Sequence, residues 1–193
     1  MDSARYHAFR IVFEFETFNL QLKSIRNAYY KKNNIASNDR KRAMVLSNEV
    51  IRWKKYLDAL IAPSLNKSIK KLPLEILCIL RLGYYEFFMD ESVPDHAVVN
   101  SWVNISKKVK KTNFSGLVNA VLRKAKKIEK QTILKSKDLA IQKSFSRWMV
   151  DNWSAQFGDL KTRQLLDHLN KPSLQDIRTN MPMDMLKDKL DQL

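Results

Sequence analysis

Residues 74–88, LEILCILRLGYYEFF, limit the possible folds more than any other stretch of the chain. At helical spacing the run is apolar on nearly every side. A helix of that kind requires cover all round, which the centre of a helical bundle supplies. Pro73 stands at its start, where a missing N–H costs nothing. Cys78 lies inside the run and reads as a small buried hydrophobe, not a nucleophile. Gly83 is expected to let a neighbouring helix come close. Arg81 in such surroundings requires a carboxylate, with Glu86, Asp90 and Asp95 as candidates.

The cover is legible on both sides of this run. Residues 93–123 read VPDHAVVNSWVNISKKVKKTNFSGLVNAVLR, two amphipathic helices joined by a basic turn. Pro94 suits the opening of the first, and Val98, Trp102, Ile105 and Val109 form its apolar stripe. Thr112 or Asn113 can cap the second, whose face is Phe114, Leu117, Val118, Val121, Leu122, Ala125 and Ile128. Upstream, a helix over residues 4–19 turns Ala8, Ile11, Val12, Phe15 and Phe18 inward, with Phe9 and Phe13 widening the face. Another is expected over 21–32. A third, capped by Asn38 and Asp39, runs to about 59 with Ala43, Leu46, Val50, Trp53 and Leu57 inside. Three Gly and five Pro in 193 residues agree with long helices and few tight turns. The fold class is all-α.

The phrases PDHAVVN and FSGLVNAVLR resemble the signature of the NusB-like, all-helical RNA-binding domain. That domain forms the transcription antitermination factor NusB. It is also the N-terminal domain of the ribosomal RNA cytosine-C5 methyltransferases called RsmB, Sun or Fmu. Further matches are the Asp39-Arg40 pair, the central phrase ILRLGY with Arg81, and Asp95 and His96 followed by the same Ala. The resemblance implies RNA as partner, ribosomal RNA in the methyltransferase branch, together with a possible protein partner for the bundle. It also makes Arg5, in the basic N-terminal segment, an RNA-binding candidate; a solvated first turn is the alternative. Asn100 and Asn119, polar on otherwise apolar helices, are expected to hydrogen-bond between helices. His96 is expected as a packing and hydrogen-bonding residue. Ser101 stands where the family usually carries an acid.

Charge points to the same partner. Residues 1–144 hold 28 Lys or Arg against 13 Asp or Glu, while residues 145–193 hold seven of each, so the first part carries the whole +15. Such an excess favours a polyanion, above all nucleic acid. Between His96 and Ile128 there is no acid. The basic residues there are Lys107, Lys108, Lys110 and Lys111 in the turn, then Arg123, Lys124, Lys126 and Lys127 on the next helix. These eight are the candidate phosphate contacts; the alternative is a solvated face. Arg40, Lys41 and Arg42 lie in a helix's first turn, where the dipole disfavours cations. An RNA backbone is one use for them, and a salt bridge to Asp39 or to another helix is the plainer one. Tyr29-Tyr30-Lys31-Lys32 has the composition of a base-stacking site, though Tyr at this spacing is more often core.

The charge shift divides the chain into a helical RNA-binding domain over 1–130, a linker over 131–144, and a segment over 145–193. In the last, Phe145, Trp148, Met149, Trp153 and Phe157 give a helical stripe that Gly158 stops. Leu160, Leu165, Leu166 and Leu169 suit a second short helix. Residues 177–180 read as a strand, and Met185, Leu186 and Leu190 as part of a last helix, hence the start of a small α+β subdomain, incomplete as it stands. Phe157-Gly158, Asn170, Pro172, Arg178 and Asn180 match the segment that follows the NusB-like domain in the methyltransferases, while Ser146 and Thr179 depart from it. The resemblance therefore favours that branch over a stand-alone antitermination adaptor. No Gly-rich strand-to-helix loop for S-adenosylmethionine is present, and the single Cys lies in a buried run. The chain alone is thus expected to be non-catalytic, with the cofactor implied for a longer parent. Three His and one Cys give no metal-ligand set. No run suits a membrane span, no signal peptide is evident, and the lone Cys fits a cytoplasmic protein.

Overall fold

The computed structural model describes residues 3–90, 93–109, 112–125, 138–171, 180–182 and 185–187. Among the described residues, seven helices build the main body: α1 (Ser3–Phe18), α2 (Leu22–Lys32), α3 (Ser37–Arg52), α4 (Lys54–Ile61), α5 (Leu74–Met89), α6 (Asp95–Lys108) and α7 (Ser115–Ala125). Short 3-10 turns at Ala62–Ser64, Ile69–Lys71 and Thr112–Phe114 link them. The apolar run becomes α5, and α1, α3, α4, α6 and α7 pack around it. Ile76, Cys78, Ile79, Leu80, Leu82 and Tyr84 are fully enclosed. Pro73 and Pro94 each stand one residue before their helix, and their carbonyls accept the first intrahelical bonds, from Leu77 and from Ala97 and Val98.

Gly83 does what its position implied. A Cβ there would lie 2.7 Å from Leu122 Cδ2 and 3.3 Å from Trp102 Cδ1, so α6 and α7 reach α5 only because it is absent. Three details differ from expectation. The third helix bends at Trp53 (φ −93°, ψ 13°) into α3 and α4 and runs on to Ile61. Its apolar period continues across the bend, since Trp53 N bonds Glu49 O and Leu57 N bonds Trp53 O. It starts at Ser37 with Ala36 at the cap position, and Asp39 lies inside the first turn instead of capping it. Phe18 is 62% exposed, because Asn19 (φ 50°) ends α1 before that face is covered.

Helices α8 (Leu139–Gln142), α9 (Arg147–Phe157) and α10 (Asp159–Leu169) form a second, smaller cluster around Ala140, Val150 and Leu166. Asp138 caps α8 by accepting from the backbone N–H groups of Ala140 and Ile141. Gly158, in the left-handed region at φ 77°, separates α9 from α10. Trp148 and Phe157, expected inside, are 70% and 50% exposed; Val150 is the residue α9 buries. Trp148 is two residues away from Val150, about 200° round the helix, so burying one exposes the other. The cluster docks on α4: Lys55 N donates to Ser144 Oγ (3.1 Å) and Lys55 Nζ to the Phe145 carbonyl (2.9 Å). No strand occurs among the described residues, and the expected α+β subdomain finds no support. Residues 177–179 of the expected strand, Pro172, Leu190, and 131–137 of the expected linker lie outside the described residues.

Candidate nucleic-acid interface

The basic turn begins where α6 ends. Lys107 and Lys108 occupy the last turn of α6, where the helix's open carbonyls favour cations. Both are exposed. Lys108 Nζ lies 3.8 Å from the centroid of the Tyr6 ring on α1, a cation–π contact that ties the turn to the first helix. Tyr6 in turn borders a hollow of about 380 Å³ between α1 and α2, into which Arg10, Tyr29 and Lys32 also face. Lys108, Arg10 and Lys32 thus border Tyr6 and its hollow from three helices, with Lys107 beside Lys108 on α6; Glu14 also lines the hollow and pairs with Arg10 at 3.1 Å. Lys110, Lys111, Lys126 and Lys127 lie outside the described residues.

Behind this surface, His7 Nδ1 lies 2.8 Å from the Tyr29 hydroxyl. Burial holds the His7 imidazole below its ordinary value; Asp39 opposes this and Lys108 adds to it. Burial pushes Tyr29 up to about 12, so the phenol keeps its proton in its hydrogen bond to the ring. Tyr30 donates its hydroxyl to the Arg40 carbonyl at 3.0 Å, and the Arg40 guanidinium stands 5.7 Å from the centre of its ring. These contacts hold α2 against α1 and α3, which is the core reading of the tyrosine pair.

Arg123 and Lys124 belong to a different place. They are at the far end of α7, eight and nine residues after Ser115 and so about 12–14 Å along the helix. Arg123 Nε donates to Asn119 Oδ1 at 3.0 Å, and Lys124 Nζ reaches the Ser64 carbonyl at 3.4 Å. Asn119 therefore bonds within its own helix instead of between helices. Asn100 and His96 are exposed, contrary to their expected packing roles. Asp95 lies in the first turn of α6, where its charge suits the helix dipole.

Arg5, expected at the RNA, is inside the bundle at 8% exposure. Its Nε donates to Glu86 Oε2 at 2.8 Å and its Nη1 to Ser101 Oγ at 3.3 Å. The hydroxyl of Ser101 thus serves Arg5 at the position where the family usually has an acid. Glu86, 1% exposed, also accepts from Arg42 Nη2 (2.9 Å) and Trp102 Nε1 (2.7 Å), and Arg42 further pairs with Asp90. Arg42, expected in a first turn but the sixth residue of α3, is thereby explained by another helix. Arg81 pairs with Asp58 through Nε (2.7 Å) and Nη2 (2.8 Å), with Glu16 3.5 Å away, and with none of its expected partners. Five residues turn a helix by about 140°, so Arg81 and Glu86 leave α5 on different sides.

Among the described residues no group of three or more His, Cys, Asp or Glu is placed to hold a metal. Burial raises the Cys78 thiol to about 12, far from a nucleophile. Sequence reading missed the hollow beside Tyr6. Tyr6 and Arg10 are one turn apart, which was visible, but the packing of α2 that brings Lys32 to them was not.

Comparison with known proteins agrees with this helical body. The model of the NusB family matches residues 2–127. The chain belongs to the NusB family. A protein of Synechocystis sp. named "Probable ribosomal RNA small subunit methyltransferase B" is 28% identical over 184 residues, covering 93% of this chain and 41% of the relative. A Bacillus subtilis protein of the same name is 27% identical over 179 residues, 91% of this chain and 39% of the relative. The chain therefore spans about two-fifths of the length of these relatives. A Mesorhizobium japonicum transcription antitermination protein NusB is 31% identical over 63% of this chain and 76% of its own. Among solved structures, NusB in a crystal of antitermination factors NusB and NusE with double-stranded RNA superposes with a TM-score of 0.61 at 24% identity, covering 65% of this chain and 95% of that one. Aquifex aeolicus NusB gives 0.60 at 24% identity, over 71% and 92%. These two likenesses establish the NusB fold. No helix among the described residues is long and apolar enough to cross a membrane.

Proposed function

We propose that this NusB-family chain binds RNA through the cationic surface around Tyr6 and Lys108, as the RNA-holding front module of a ribosomal RNA cytosine-C5 methyltransferase. One observation carries the choice of branch. Similarity to the two methyltransferases runs past the NusB-family match and over 93% and 91% of the chain. In this reading S-adenosylmethionine and the attacking thiol belong to a catalytic domain in the remaining length of the parent. The present residues position ribosomal RNA so that a target base reaches that domain. Phosphate contacts supply affinity with little reading of sequence. A second reading, an antitermination adaptor that binds RNA and a protein without chemistry, draws on the Mesorhizobium relative and on the NusB–NusE–RNA assembly that shares the fold.

RNA affinity measured over a salt series tests the surface. Changing Lys107, Lys108, Lys110 and Lys111 together to Gln is expected to weaken binding. The plot of log K against log salt should also flatten, by about 0.7–0.9 for each phosphate that is no longer neutralised. Unchanged affinity would remove the turn from the interface. The mass of the polypeptide in its own cell tests the branch. A product more than twice this size, as the 41% share of the Synechocystis relative implies, with methyl transfer to ribosomal RNA cytosine, is expected. A product ending at Leu193 that still binds RNA would favour the adaptor.

A further inference from the structure

Between α7 and residues 64–72 the surface opens into a groove of about 490 Å³ that shares no residue with the Tyr6 surface. Its floor is carbon, from Leu65, Leu72, Phe114, Leu117 and Val121. Lys67, Lys71 and Lys124 line it as well, with Ser64, Asn66 and Ser68, and no acid is among the described lining residues. Leu117 of α7 and Phe114 of the turn before it continue one apolar stripe, yet the bundle buries Val118, Val121 and Leu122 and leaves these two half-covered. The stripe is wider than the bundle.

The walls are pinned from beneath. Tyr84, fully buried on α5, places its hydroxyl oxygen 2.9 Å from Ser64 Oγ on one wall and 3.3 Å from the Val121 carbonyl oxygen on the other. Lys124 Nζ spans to the Ser64 carbonyl above. Pro63 and Pro73 restrict the loop at its two ends. A groove formed before its occupant arrives loses less free energy when it is filled.

We propose that this groove docks a short acidic amphipathic helix of a protein partner. Apolar side chains at i, i+3 or i+4, and i+7 would fill the carbon floor, and flanking Asp or Glu would meet Lys67, Lys71 and Lys124. Charge selects this occupant. Three cations without an acid repel a basic segment, and a second copy of a chain with net charge +15 is repelled as a whole. The carbon floor gives sugar and base edges no hydrogen bond, which would leave RNA only the three lysines and Ser64, Asn66 and Ser68, with the apolar side chains unused.

The probe is a synthetic helical peptide with leucines at those spacings and glutamates elsewhere, added to the 15N-labelled 193-residue chain. Controls replace its leucines with serine, or its glutamates with lysine. Expected is binding of the Glu/Leu peptide alone, with shifts at the Leu117 and Ala120 amides. The double change Lys67→Glu and Lys71→Glu should weaken it by about tenfold or more. Ala120→Arg, at an exposed position, fills the groove while leaving it cationic, one charge more positive, and should do the same. Helicity and affinity for a mixed-sequence RNA strand should hold in both variants. The proposal fails if the Glu/Leu peptide does not bind at millimolar concentration, or if the variants bind it as the parent does. It fails equally if RNA shifts the same amides and displaces the peptide, or if Ala120→Arg changes the sedimentation of the free chain, which would assign the groove to RNA or to a second copy.

Discussion

Glu86 is buried, and side chains from α1, α3 and α6 hold its charge. Arg5, Arg42 and Trp102 all donate to it, so this carboxylate fixes the position of three helices against α5. Burying paired charges is weak evidence of net stabilisation, but removing one partner leaves the others uncompensated. Glu86→Ala is therefore expected to lose about 3–5 kcal/mol in urea unfolding, whereas Arg123→Ala, on an exposed helix end, should stay within about 0.5 kcal/mol. His7 makes a pH prediction. Its folded value lies below 6.5, so the unfolded chain takes up the proton first as pH falls. Its contribution to stability is fully present above pH 6.5 and is lost as pH drops through the lower folded value. His7→Gln should remove that part of the slope of stability against pH; an unchanged slope would show that the imidazole titrates alike in both states.

At the scale of the element, α5 explains most of the architecture. It is apolar all round because five helices touch it, and Gly83 is the notch that admits two of them. Gly83→Ala would press a methyl group against Leu122 and Trp102, both fully buried, with little room to yield. We expect a loss of about 1–3 kcal/mol, read as a lower thermal midpoint with helicity retained. An unchanged midpoint would mean that α6 and α7 shift outward freely. The bend at Trp53 has a different origin. The apolar period runs through it, so both halves remain buried while the chain changes direction.

For the whole molecule, the two hydrophobic clusters differ greatly in size, and the smaller leans on the larger through α4 and α8. A chain shortened to residues 1–130 retains every residue of the main buried cluster. It should unfold in one cooperative step and largely keep its RNA affinity and salt slope, because residues 1–130 hold 25 Lys or Arg against 12 Asp or Glu, +13 of the net +15. Non-cooperative melting of the shortened chain would show that Lys55 and its contacts to Ser144 and Phe145 are part of one folding unit.

The sequence determined the elements and their buried faces, because helical periodicity and capping act over a few residues. It also showed the central place of residues 74–88, the purpose of Gly83 and the basic turn. It could not say which charges meet. Arg5 looked like an RNA contact and is a buried ion pair; Arg81 found Asp58 rather than Glu86; Arg42 serves another helix. Those pairings depend on the rotation of each helix about its axis, which is set by packing against several neighbours at once. The same reason explains the two surfaces that only the tertiary structure decided. Tyr6, Lys32 and Lys108 meet through the docking of three helices, and the groove beside α7 exists because a wide apolar stripe meets a narrower bundle.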